Sequence, residues 1–316
     1  MGQPLPRRVV FMGTPAFARA SLQALVGAGV RPVAVFTQPD KPQGRGRAVL
    51  PPPVKEEALR EGLDVHQPAT LKDPAVTALL RDLAPDLVVV AAYGRILPRA
   101  VLEIPPLGCV NVHASLLPRH RGAAPVAYAI WEGDAQTGVS LMRMEEGLDT
   151  GPVYAQRAIP VPPGATTGTL TPLLAELGAR LLVETLPALA AGALVPVPQD
   201  PSRATLAPRI RPEDGRLRFE EPAERLERQV RAMDPWPGAF TAAGGERIKV
   251  LAANVAGAAP PGAAPGEVVP GPPVTVACGD GRCLLLTSLQ REGRRALSSA
   301  DLVRGFPLPP GTRLGP

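Results

Sequence analysis

Short runs of β-branched and apolar residues alternate with longer mixed stretches through the first half of the chain. "RVVFMGT" (8–14), "PVAVFTQ" (32–38), "DLVVVAAY" (86–93) and "CVNVHAS" (109–115) read as strands. "VKEEALREG" and "DPAVTALLRDL" lie between them with helical patterns. Near-continuous valine runs need apolar surroundings on both faces, so the expected fold is α/β, a mainly parallel sheet covered by helices. Further strands are expected at "GVSLMRM" and "PVYAQRAIPV".

A long helix should follow, because Leu170, Leu173, Leu174, Leu177, Leu181 and Leu182 recur at helical spacing. Thr171 before Pro172 offers one N-cap, with Thr166 or Thr167 as earlier alternatives. The pattern stops at "AAGALVPVPQDPSRA", a Pro/Gly-rich passage that reads as a linker. Beyond it, "AERLERQVRAM" places Leu226, Val230 and Met233 on one face of a short helix. "ERIKVLAANV" and the hairpin candidate "VTVACGDGRCLLLTSL" then suggest a small β-barrel, since closure removes exposed strand edges. The expected organisation is a first domain over 1–190, a linker over 191–205 and a second domain over 206–316.

Composition narrows the class. Apolar residues make up 45% of the 316 positions, which excludes a disordered polymer. No apolar run approaches the ~18–20 residues that would cross a bilayer, and no secretory signal is legible at the N-terminus, so cytoplasm is the expected compartment. Three cysteines, Cys109, Cys278 and Cys283, form an odd set read as reduced thiols, and without clustered histidines they make a poor metal site. The net charge of +5 is unevenly placed: residues 1–53 hold seven Lys/Arg and one acid, Asp40. Such an excess suits a polyanionic partner.

A nucleotide site is the first thought for a parallel sheet, but "FMGTPAFA" has one glycine where a dinucleotide fingerprint needs three. "NVHASLLPRHRGAAP" is more informative. Side chains two apart in a strand point the same way, so Asn111 and His113 project together near a strand's carboxyl end, where open α/β sheets bind ligands. Alone, the pair is equally a hydrogen-bonded Asn and a structural His. An amide beside an imidazole also suits stabilising charge on a carbonyl oxygen as it becomes tetrahedral, which points to acyl-type transfer. Ser115 lies outside a nucleophile elbow and Cys109 sits in the strand interior, so direct attack by a substrate amine is the simpler chemistry. "MEEGLDTGPVY" supplies Glu145, Glu146 and Asp149 as carboxylates; Asp149 before Thr-Gly is equally a turn former, and spacing does not decide.

The ordered set "FMGTPAFA", "TQPDKPQGRGR", "PPPVK", "VVAAYGRILP", "GCVNVHASLLPRHRGAAPV", "TGVSLMRMEEGLDTGPV" and "MDPWPGAF" resembles the 10-formyltetrahydrofolate-dependent formyltransferases, and within them the methionyl-tRNA formyltransferase family, over nearly the whole chain. The resemblance implies a Rossmann-like catalytic domain, an OB-like second domain, and transfer of a formyl group from 10-formyltetrahydrofolate to the α-amine of methionyl initiator tRNA in translation initiation. It implies Asn111, His113 and Asp149 as the catalytic group, and Ser115, Leu116, Leu117 and Pro118 as the folate-binding segment. No metal and no membrane are implied, and a monomer is expected. Lys41, Arg45 and Arg47 in the basic loop, with Arg209, are the implied tRNA contacts. The chain departs from the family at "LAPRI" (206–210), where a "YAPKI"-like element is usual, and at His120, where an aromatic often stands. Another folate-dependent amine formyltransferase, acting on glycinamide ribonucleotide or an amino sugar, and a noncatalytic RNA-binding protein are the alternatives.

Overall fold

The computed structural model describes residues 5–43 and 48–315. The first elements are β1 (Val9–Gly13), α1 (Ala16–Gly27), β2 (Ala34–Phe36), β3 (Lys41–Gln43), β4 (Ala48–Leu50), α2 (Pro53–Arg60), β5 (Val65–His66) and α3 (Pro74–Asp82). There follow β6 (Leu87–Ala91), α4 (Arg99–Leu102), β7 (Cys109–His113), α5 (Pro125–Trp131), β8 (Gln136–Arg143), β9 (Val153–Pro160) and α6 (Thr167–Ala190).

Seven of these strands form one sheet in the order β5-β2-β1-β6-β7-β8-β9. The pairs β1–β2, β1–β6, β2–β5 and β6–β7 are parallel, and β7–β8 is antiparallel. Every residue of β1, β6 and β7 is buried, as the valine runs predict. The chain leaves β1 for β2 on one side and returns to β6 on the other, which opens a crevice beyond the carboxyl ends of the central strands. His113, the last residue of β7, lies at that end.

Local chemistry sets the helix starts. Asp73 caps α3 by accepting from the Ala75 N–H at 2.9 Å, with Pro74 at the first helical position. The long helix starts at Thr167, ahead of Pro172, because Thr166 and Thr169 cap each other. The Thr169 N–H donates to Thr166 Oγ1 at 3.3 Å, and the Thr166 N–H donates to Thr169 Oγ1 at 2.9 Å.

The chain divides into two compact units. The first comprises Met1–Pro125, Gln136–Ile159 and Thr171–Pro208; the second comprises Val126–Ala135, Pro160–Leu170 and Arg209–Pro316. Within the second unit, α7 (Ala223–Ala232) buries Leu226 and Val230 and fastens the two early segments. Arg228 Nε donates to the Trp131 carbonyl at 3.0 Å, Arg231 Nη1 to that of Ala165 at 3.0 Å, and Thr167 Oγ1 to that of Ala232 at 2.7 Å.

The second unit continues through β10 (Ala239–Ala243), β11 (Glu246–Ala258), β12 (Val268–Val269), β13 (Thr275–Ala277), β14 (Arg282–Arg291), β15 (Leu297–Ser298) and α8 (Ser299–Gly305). They form an antiparallel half-barrel in the order β10-β11-β14-β13-β12, with β15 on β14. Register shifts between Val250 and Ala252, Ala252 and Ala253, and Ala256 and Ala258 bend β11 and let the sheet curl. Both edges are covered. The Leu217 N–H donates to the Phe240 carbonyl at 2.9 Å beside β10, and the Val268 N–H donates to that of Thr312 at 2.8 Å beside β12. The predicted hairpin is β13–β14, with Ala277 opposite Cys283.

Candidate active site

Asn111 and His113 are 9% and 5% exposed, on one face of β7. The His113 ring is engaged at both nitrogens. Nε2 lies 3.0 Å from the His120 carbonyl, which can only accept, so Nε2 carries the proton in the neutral tautomer and Nδ1 holds the basic lone pair. Nδ1 faces Asp149 Oδ2 at 3.7 Å, within ion-pair range.

That carboxylate oxygen is itself held. The Gly122 N–H donates to Asp149 Oδ2 at 2.8 Å. Gly122 has a φ of +125°, and a Cβ there would stand 2.6 Å from the Ala207 carbonyl oxygen, so the turn requires glycine. Asp149 has a φ of +51°, a left-handed conformation uncommon outside Gly, Asn and Asp. The "HASLLPRHRG" turn and the "EEGLDTG" loop, 27 residues apart, thus converge on one imidazole.

Ser115 is fully buried and donates its hydroxyl to the Arg119 carbonyl at 2.6 Å. Its own carbonyl accepts from Ser140 Oγ at 2.6 Å, and Ser140 Oγ accepts from the Leu117 N–H at 3.0 Å. Gln156 Nε2 completes the knot, donating to the Leu117 carbonyl and to Ser140 Oγ at 2.8 Å each. Leu117 is buried, while Leu116 and Pro118 are half-buried. Burial pushes the Cys109 thiol up to about 12, so it supplies no thiolate near neutral pH.

The segment that follows α6 reaches this site, a feature that periodicity does not signal. The His120 N–H donates to Thr205 Oγ1 at 2.8 Å, the Arg121 N–H to the Thr205 carbonyl at 2.8 Å, and the Ala207 N–H to the Arg121 carbonyl at 2.7 Å. The sequence shows only polar side chains, Gln199 and Thr205 among them, set between prolines.

The basic loop is a β3–β4 hairpin at its described ends. Lys41 is exposed and donates from Nζ to Gln38 Oε1 at 2.6 Å. Arg45 and Arg47 lie outside the described residues. Arg209 is exposed and begins the last segment of the second unit. Lys55 is committed elsewhere: its Nζ pairs with Asp40 Oδ2 at 2.6 Å, while Gln67 Nε2 donates to Asp40 Oδ1 at 2.7 Å. The Gln67 hydrogen bond, followed by that of Lys55, holds the Asp40 carboxyl below its usual range. No group of three His, Cys, Asp or Glu among the described residues could hold a metal ion. No described helix is long and apolar enough to cross a membrane.

Two family models match, a formyl transferase domain over residues 7–186 and a formyl transferase C-terminal domain over 209–307. A protein of Myxococcus xanthus named methionyl-tRNA formyltransferase is 53% identical over 97% of this chain and 97% of its own length. One of the same name from Moorella thermoacetica is 48% identical over 98% of this chain and 99% of its own. The chain belongs to the methionyl-tRNA formyltransferase family. Solved structures with a similar fold include an N-formyltransferase from Helicobacter canadensis in complex with folinic acid and dTDP-3-aminofucose, with a TM-score of 0.66 and 15% identity over 90% of this chain and 99% of that one. HypX from Aquifex aeolicus with tetrahydrofolic acid superposes with a TM-score of 0.60 at 21% identity, over 96% of this chain and 48% of its own. At such identities these two show the shared fold alone.

Proposed function

We propose that Asn111, His113 and Asp149 carry the formyl transfer of this family, from 10-formyltetrahydrofolate to the α-amine of methionyl initiator tRNA. The neutral amine attacks the formyl carbon, the new N–C bond forms, and the carbonyl electrons pass to the oxygen. As the tetrahedral intermediate collapses, the bond to N10 of the folate breaks, and the proton lost by the amine is matched by one gained at N10. A peptide α-amine titrates near ~7.7–8, so a useful neutral fraction exists at physiological pH without a strong base.

The observation that carries this reading is the doubly engaged imidazole of His113. With Nε2 tied to the His120 carbonyl, Nδ1 is the atom left for chemistry, and the Asp149 carboxylate lies 3.7 Å from it. Protonated His113 and the Asn111 amide are assigned to the developing oxyanion, and Asp149 to the proton leaving the amine. Ser115, Leu116, Leu117 and Pro118 are assigned to the folate: Ser140 and Gln156 fix the segment, and Leu116 and Pro118 offer apolar surface.

Lys41, Arg45, Arg47 and Arg209 are assigned to tRNA phosphates, and residues 206–316 to the wider tRNA surface. The reading places the enzyme in the cytoplasm as a monomer. The purified chain should place formyl groups on initiator methionyl-tRNA when given 10-formyltetrahydrofolate. No transfer to initiator or elongator methionyl-tRNA, alongside transfer to glycinamide ribonucleotide or an amino sugar, would favour the small-amine reading instead.

A further inference from the structure

Gln199 lies in the passage that reads from sequence as a linker, yet its half-buried amide is fully used at the active site. Nε2 donates to the carbonyls of Asp149 and Gly151, each at 2.7 Å. Oε1 accepts from Arg121 Nε at 3.0 Å and Nη2 at 2.8 Å. Both N–H groups and both lone pairs of the amide are thereby satisfied. The backbone supports this placement, because Val153 and Val197 exchange two N–H···O bonds of 2.8 Å and bring residue 199 alongside the Asp149 loop.

We infer that Gln199 is a positioning residue that holds Asp149 at His113, an inference that rests on Asp149 belonging to the catalytic group. An aspartate tolerates the left-handed conformation of Asp149, but its exact placement depends on what holds the loop. The Gly122 N–H aims the carboxylate. Gln199 fixes the backbone behind it. Through Arg121, the neighbour of Gly122, the same amide ties the aiming turn to the aimed loop. A carboxylate displaced by an ångström loses much of its effect on a proton in transit, whereas substrate contacts made elsewhere are untouched.

Gln199→Glu in the full chain separates this role from simple packing. It keeps the shape and an oxygen for Arg121 but replaces the donor to both carbonyls with an acceptor that repels them. The turnover number should fall on the order of 10- to 100-fold, with KM for donor and tRNA changed by less than about twofold. In an Asp149→Asn background the same substitution should change the residual single-turnover rate by less than about twofold, since its partner is already disabled. Gln199→Ala should behave alike; if it does not fold, the Glu variant alone decides. Wild-type turnover in Gln199→Glu with Asp149→Asn inactive would overturn the Gln199 role alone, as would equal losses in both backgrounds. Wild-type turnover in Asp149→Asn would overturn the catalytic assignment and this inference with it.

Discussion

At His113 the side chain is fixed by a backbone carbonyl on one nitrogen and faces a carboxylate on the other, which gives the ring one working atom. Among the described residues of its strand and turn, the candidate nucleophiles are engaged or buried: the Ser115 hydroxyl donates to the Arg119 carbonyl. Cys109 lies four residues earlier in the same strand, and burial holds its thiol at about 12; Cys278 is likewise pushed up to about 12, and Cys283 is raised. A thiol reagent at pH 8 should therefore label none of the three cysteines in the folded protein and all three after denaturation; rapid labelling of one thiol in the native state would contradict the burial. The same shifts have a stability consequence. An acid whose folded pKa lies above its unfolded value stays protonated in the native state while the unfolded chain ionises. Stability should fall as pH rises from the ordinary thiol value of 9.0 toward about 12, with Tyr93, also held at about 12 by burial, adding to the trend.

At the scale of elements, Lys55 and Gln67 hold Asp40 just ahead of the hairpin β3–β4, so Lys55 is already paired, and the proposal assigns tRNA contact to Lys41, Arg45 and Arg47. Arg45→Ala should weaken tRNA binding and make the slope of log K against log salt shallower by about one, while leaving donor affinity unchanged. An unchanged tRNA titration across several salt concentrations would remove Arg45 from the interface. The strands and helices were largely legible because valine runs, Asp73-Pro74 and the leucine spacing encode local preferences. Asn111 and His113 were legible as a pair because strand geometry fixes side-chain direction over two residues. The choice between Thr166 and Thr171 as the start of α6 was not, since both precede plausible first turns and only the reciprocal bond with Thr169 separates them. Nor was the role of Gln199, 50 residues from Asp149, because contacts between distant loops leave no periodicity to read.

At the scale of the whole molecule, two family domains span the chain, and the basic excess is concentrated in residues 1–53. On the proposed assignment, the reaction brings a small folate and a large polyanion to the His113 imidazole. The same assignment gives tRNA attraction to basic residues and the chemical step to a few buried atoms. Rate and affinity should therefore separate on mutation. The most direct test is the single-turnover rate of formyl transfer to initiator methionyl-tRNA at saturating 10-formyltetrahydrofolate, measured with donor affinity for Asn111→Ala, His113→Ala and Asp149→Asn. Each variant should lose on the order of 100- to 1000-fold in rate, the usual effect of removing a group that stabilises transition-state charge, and keep donor affinity within about threefold. A variant that transfers formyl at the wild-type rate once saturated, having lost only donor affinity, would contradict the account.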